Sequence, residues 1–67
     1  MHNMIDTAMG NGEVAAFVLR LKMQGYKVER FEAGYSCEVD GTQLFRATMM
    51  GNERFMVRYN EKVFPDV

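Results

Sequence analysis

The chain has 67 residues, 48% of them hydrophobic, with five Phe, three Tyr and a formal charge of −1. A chain this short is read as one domain, 1–67, whose small core buries about 60% of the unfolded surface, while its apolar content argues against disorder. The near-neutral charge excludes recognition by a global field, of nucleic acid by a basic chain or of basic targets by an acidic one.

Cys37 is the only cysteine, so no intramolecular disulfide can form, whereas small secreted domains usually carry several. Met1–Gly10 lacks the basic and continuous apolar stretches of a signal peptide. No apolar run approaches the roughly 20 residues that a membrane helix needs. The expected compartment is the cytoplasm, with no membrane contact.

In chain order, Met4, Ile5, Ala8 and Met9 share a possible helical face, but the stretch is short and ends in Gly10-Asn11-Gly12. It reads as a loosely ordered arm, flexible or packed on a neighbouring subunit. Asn11 is a candidate N-cap, and Glu13 suits the positive end of a helix dipole. No breaker interrupts Val14–Gln24, and Gly25 supplies the usual residue after a helix end. The spacing predicts a helix over about 12–24. Val14, Phe17, Val18 and Leu21 form its core stripe. Ala15, Leu19 and Met23, with Ala16, form a second apolar stripe, a candidate dimer contact; the alternative is an Ala-rich helix with two exposed apolar side chains.

Four strands are expected after the helix, over about 26–32, 35–39, 43–50 and 54–60. Tyr26 and Val28 are assigned inward on the first, which ends in a turn at Ala33-Gly34. Asp40-Gly41 signals a hairpin. A two-residue turn there would pair Leu44 with Cys37 and Arg46 with Tyr35, whereas a three-residue loop pairs Phe45 with Tyr35. A one-residue slip turns a whole strand over, so the apolar pattern favours the longer loop. The same criterion at Gly51-Asn52-Glu53 pairs Met49 with Phe55, Ala47 with Val57 and Phe45 with Tyr59. The resulting inner face is Tyr35, Cys37, Phe45, Ala47, Met49, Phe55, Val57 and Tyr59, each large side chain contributing about 1.5–3 kcal/mol on burial. The helix stripe is its natural cover. Val63-Phe64-Pro65 is an edge segment or an anchored tail. The expected fold is α+β: one N-terminal helix on a three- to four-stranded antiparallel meander.

Chemistry-bearing residues are sparse. His2 lies in the arm without fixed partners, and a general base needs them. Cys37 is expected inward, as a small hydrophobe. No set of ligands has metal-binding spacing, and Gly10-Asn11-Gly12 lacks the strand and the Lys-Ser/Thr of a phosphate loop. Glu29, Glu32, Glu38 and Asp40 are scattered, with no pocket to separate their pKa values. No enzymatic role and no cofactor are expected.

The remaining feature is the outer sheet face, where the chosen register sets Arg46 opposite Arg58, Thr48 opposite Met56 and Met50 opposite Arg54. Like charges directly opposed destabilise a sheet, and Arg and Met are enriched at interfaces. Arg46, Arg54, Met56, Arg58 and Met50 are therefore the candidate partner-binding residues; the alternative is a solvated face beside Glu38 and Glu61. The leading expectation is a non-enzymatic protein–protein interaction module, an accessory or regulatory homodimer that binds a protein partner. One alternative is a nucleic-acid-binding protein using the Arg-bearing face, another a small inhibitor of a host enzyme of the kind mobile elements encode. Fold order alone does not decide among them.

Overall fold

Backbone pairing gathers the described residues into a five-stranded antiparallel sheet in the spatial order β1-β5-β4-β3-β2, with one helix on its inner face. The elements are β1 (Met4–Gly10), α1 (Asn11–Met23), β2 (Glu29–Phe31), β3 (Gly34–Val39), β4 (Thr42–Gly51) and β5 (Arg54–Asn60). This computed structural model describes residues 4–64. The fold is α+β, with one strand more than the sequence suggests.

The extra strand is the supposed arm. Met4–Gly10 runs antiparallel along the whole of β5, with Ile5 opposite Tyr59, Thr7 opposite Val57 and Met9 opposite Phe55. Those three face the helix, and Met9 is buried in the core. Met4, Asp6 and Ala8 take the other face, as strand geometry requires. The flexible-arm reading is therefore corrected for these seven residues; His2 lies outside the described residues. Polar Thr7 at an inward position had broken the apolar alternation that would have betrayed a strand.

The helix begins where β1 ends. Gly10 is its N-cap in extended geometry, and no side chain caps it. Asn11 is instead the first helical residue, and its amide donates to Glu53 Oε1 at 3.3 Å, tying the helix start to the β4–β5 turn. At the other end Gly25 (φ 91°) donates to Lys22 O and Tyr26 to Leu21 O, both at 3.0 Å. That pair of bonds is a Schellman motif, which needs the positive φ glycine supplies. It also explains why the following strand is short. The Tyr26 N–H is spent on the helix end, so pairing starts only at Glu29. Tyr26 and Val28 still pack on the core, as assigned. The next turn is Glu32-Ala33, one residue earlier than expected, because Gly34 already pairs with Phe31.

Both remaining hairpins close through two-residue turns, each with a bulge nearby on β4. Asp40 and Gly41 have φ of 51° and 79°, and Asn52 and Glu53 have φ of 52° and 58°. Positive φ at both central residues marks type I′ turns. Val39 pairs with Thr42, a bulge at Leu44 follows, and Cys37 then faces Phe45 and Tyr35 faces Ala47. The expected Tyr35–Phe45 pairing is thus displaced by two residues. An even displacement keeps every side chain on its face. At the second hairpin Phe45–Tyr59, Ala47–Val57 and Met49–Phe55 pair as expected. Gly51 rather than Met50 faces Arg54, and Met50 sits in the bulge.

The core forms where α1 meets this face. Val14, Phe17 and Leu21 are buried and Val18 partly so. Phe17 stacks 6.0 Å from Phe45 and meets the Tyr59 ring edge-on at 5.3 Å. The tail is anchored. Asn60 Oδ1 accepts from the Lys62 N–H at 2.8 Å and Asn60 O from the Val63 N–H at 3.0 Å, turning the chain so that Phe64 enters the core. Pro65 lies outside the described residues. Met49 departs from its assignment: it is on the helix side but 57% exposed, because α1 lies over β1 and β5 and leaves that end of β4 uncovered.

Candidate functional site

Strand pairing aligns Glu29, Ser36, Arg46, Arg58 and Asp6 in one row across the outer face. Arg46 does stand opposite Arg58, yet both guanidinium groups are drawn aside. Arg58 Nε donates to Asp6 Oδ1 at 2.8 Å and its Nη2 to Asp6 Oδ2 at 3.1 Å, a bidentate fork. Arg46 lies over the Phe31 ring, 4.6 Å from its centroid, in cation–π geometry. The like-charge opposition is relieved from both flanks by residues outside the candidate set. Asp6 belongs to the stretch that the sequence suggests is an arm, and Phe31 lies on β2, two strands away from Arg46, so local spacing points to neither.

Hydrogen bonding from Arg58 holds the Asp6 carboxyl below the usual aspartate range, and the same bonds push the Arg58 guanidinium further up. A depressed carboxylate stabilises the fold above its unfolded pKa of about 3.9 and loses that contribution as pH falls through the folded value. Asp6→Asn is therefore expected to lower the melting temperature at neutral pH. The gap from the parent chain should close on acidification below about pH 3.9, as followed by thermal unfolding at a series of pH values. A gap that persists unchanged in acid would mean that the fork does not form in solution.

Of the other three candidates only Met56 adjoins this row. Met56 is next to it, opposite Thr48 and Ala8, and is 44% exposed. Met50 and Arg54 stand at the hairpin end, both exposed. The depression at the centre, lined by Asp6, Gln43, Arg46, Thr48, Met56 and Arg58, measures only about 190 Å³.

A larger recess lies on the inner face, beside the helix. Because α1 lies over β1 and β5, the inner side is left open at β2 and at the Tyr35 end of β3, though Cys37 further along β3 is buried, and a groove of about 670 Å³ runs between that end and the helix. Ala15, Val18 and Leu19 form its helix wall, Val28 and Tyr35 the opposite one, and Lys22 and Arg30 add positive charge. Among the described residues no acidic side chain lines it. Two of the three candidate dimer residues, Ala15 and Leu19, therefore share one groove. Met23, 78% exposed, is not part of its lining. The second helix stripe was legible in the sequence; its pairing with β2 and β3 was not, since it depends on where the helix crosses the sheet.

Cys37 is buried, and burial pushes its thiol up, away from the reactive thiolate. Glu29, Glu32, Glu38 and Asp40 are all exposed and belong to strands and turns. Among the described residues no three His, Cys, Asp or Glu side chains gather to hold a metal, and no helix is long and apolar enough to cross a membrane. No family model matches the chain, and neither a curated protein nor a solved structure matches it.

Proposed function

We propose that the chain is a non-enzymatic protein–protein interaction module, an accessory or regulatory protein of the cytoplasm that acts as a homodimer. Its partner supplies an apolar segment flanked by acidic residues, which lies in the groove between α1 and β2–β3. The observation that carries this reading is the groove itself, with apolar walls and two cations, Lys22 and Arg30. Leu19, 59% exposed, and Tyr35 are the anchors, since large side chains at the centre of a contact dominate binding. Lys22 and Arg30 select for acidic flanks and against basic ones. The lone cysteine without a disulfide supports a reducing compartment.

The outer face supports a partner less well than its sequence suggested, because Arg58 is held by Asp6 and Arg46 by Phe31. The nucleic-acid alternative loses support for the same reason.

A displayed random-peptide library panned against the chain tests the proposal. Enriched peptides should combine apolar and acidic residues, and Leu19→Glu or Lys22→Glu should weaken them about tenfold or more. Arg46→Glu/Arg58→Glu should leave them unaffected. Loss of binding on the second pair alone would move the site to the outer face, and enrichment of basic peptides would contradict the proposal.

A further inference from the structure

The two edges of the sheet are guarded differently. At one, β2 is only three residues long and exposes Glu29 and Arg30, a short charged edge of the kind that deters strand addition. At the other, β1 runs seven residues and is paired along its length to β5 on one side. Among the described residues no strand lies on its other side, and no turn or loop backbone hydrogen bond reaches it. β1 contains no proline, no lysine and no bulge, and Asp6 is its one charged residue. In an antiparallel ladder alternate residues turn their N–H and C=O groups to the far side. Those groups of β1 form an open template.

We infer that a second copy of this chain pairs with that edge, β1 antiparallel to the partner's β1, so that two five-stranded sheets join into one. The inference rests on the homodimer part of the proposed function and not on the groove. An antiparallel pair of identical strands is related by a two-fold axis perpendicular to the sheet. Both helices then lie on the same side, and directly opposed residues must share a face. That condition lets Asp6, Thr7 or Ala8 sit on the axis, and Ala8 opposite the partner's Ala8 pairs only the stretch Asp6–Gly10 and sets polar Thr7 against the partner's Met9. Asp6 opposite the partner's Asp6 would set like charges against each other, which is unfavourable. Thr7 opposite the partner's Thr7 instead sets Ile5 against the partner's Met9 on the helix side and Asp6 against the partner's Ala8 on the outer side. Apolar meets apolar, no like charges oppose, and the Asp6–Arg58 fork is undisturbed. The register centred on Thr7 is the one that pairs all seven residues of the strand without a like-charge clash, as a self-complementary isologous contact requires.

Ala8 is exposed on the outer face and outside the core, so it can be changed without disturbing the fold. Ala8→Lys places a cation opposite the partner's Asp6 twice per dimer and should tighten the dimer about three- to tenfold. Ala8→Glu should weaken it by a similar factor. Both effects should shrink as salt is raised. Sedimentation velocity over a concentration series reads all three. Thr7→Cys should cross-link chains on mild oxidation, because directly opposed Cα atoms lie about 4.5–5.5 Å apart. A monomer at all concentrations in every form would overturn the inference. So would a dimer that Leu19→Glu abolishes and the Ala8 changes leave alone. Peptide binding in the groove should be the same in all Ala8 forms, so failure of the dimer and failure of the groove are separate results.

Discussion

Gly34→Ala is expected to abolish the cooperative unfolding transition of this chain. A Cβ at Gly34 would stand 1.8 Å from the carbonyl oxygen of Ala47 and 2.9 Å from its carbonyl carbon. Both are backbone atoms of β4, so no change of rotamer relieves the collision, and β3 would have to leave the ladder. Overpacking a core typically costs 1–3 kcal/mol, and a backbone collision lies at about the top of that range or beyond. A core of this size supplies only about 3–5 kcal/mol. Far-ultraviolet circular dichroism under urea should show a broad, non-cooperative loss of signal. Gly12→Ala is the matched control. Nothing lies within 4 Å of a Cβ there, and alanine in a helix should stabilise by up to about 1 kcal/mol. A Gly34→Ala variant as stable as the parent would contradict the β3–β4 register.

Phe64→Ala should cost about 3–5 kcal/mol, the usual range for deleting a buried aromatic side chain. The ring is 1% exposed and lies 4.4 Å from Phe17, 5.7 Å from Tyr59 and 6.4 Å from Phe45. The Arg20 guanidinium covers it at 5.6 Å. It closes the core between the helix and the two strands beneath, and its loss would leave a cavity lined by three aromatic rings. Phe64→Leu should recover most of the loss, to within about 1.5 kcal/mol of the parent. Against a total of about 3–5 kcal/mol, Phe64→Ala should lose most or all of its folded baseline in equilibrium urea denaturation, whereas Phe64→Leu should keep a midpoint close to the parent's. A Phe64→Ala midpoint within error of the parent would show that the tail does not dock.

Much of the fold was legible in the residues. The spacing of Val14, Phe17 and Leu21 and the glycine at 25 define a helix and its buried face. Apolar alternation through Cys37, Phe45, Ala47, Phe55, Val57 and Tyr59 assigns the inner face of three strands. The hairpin registers were only half legible. A two-residue turn with one bulge has the same facial parity as a three-residue loop, so the pattern of side chains cannot separate them. Leu44 and Phe45, adjacent and both buried, are where the bulge shows.

What stayed hidden was held by long-range contacts. Asp6 and Arg58 are 52 positions apart, and nothing local marks Met4–Gly10 as the partner of β5. Once that strand is placed, the Arg46–Arg58 surface changes meaning, because its charge is answered by Asp6 and by the Phe31 ring. The groove was hidden for a different reason. Ala15 and Leu19 were visible as an unpartnered stripe, but the wall facing them exists only because the helix leaves β2 and the Tyr35 end of β3 open.

Amide chemical-shift mapping on the ¹⁵N-labelled chain, with a peptide enriched by panning, tests the central claim most directly. The account predicts the largest shifts at Ala15, Leu19, Lys22, Arg30 and Tyr35, around one groove. Shifts confined to Arg46, Met56 and Arg58 would place the partner on the outer face and contradict it.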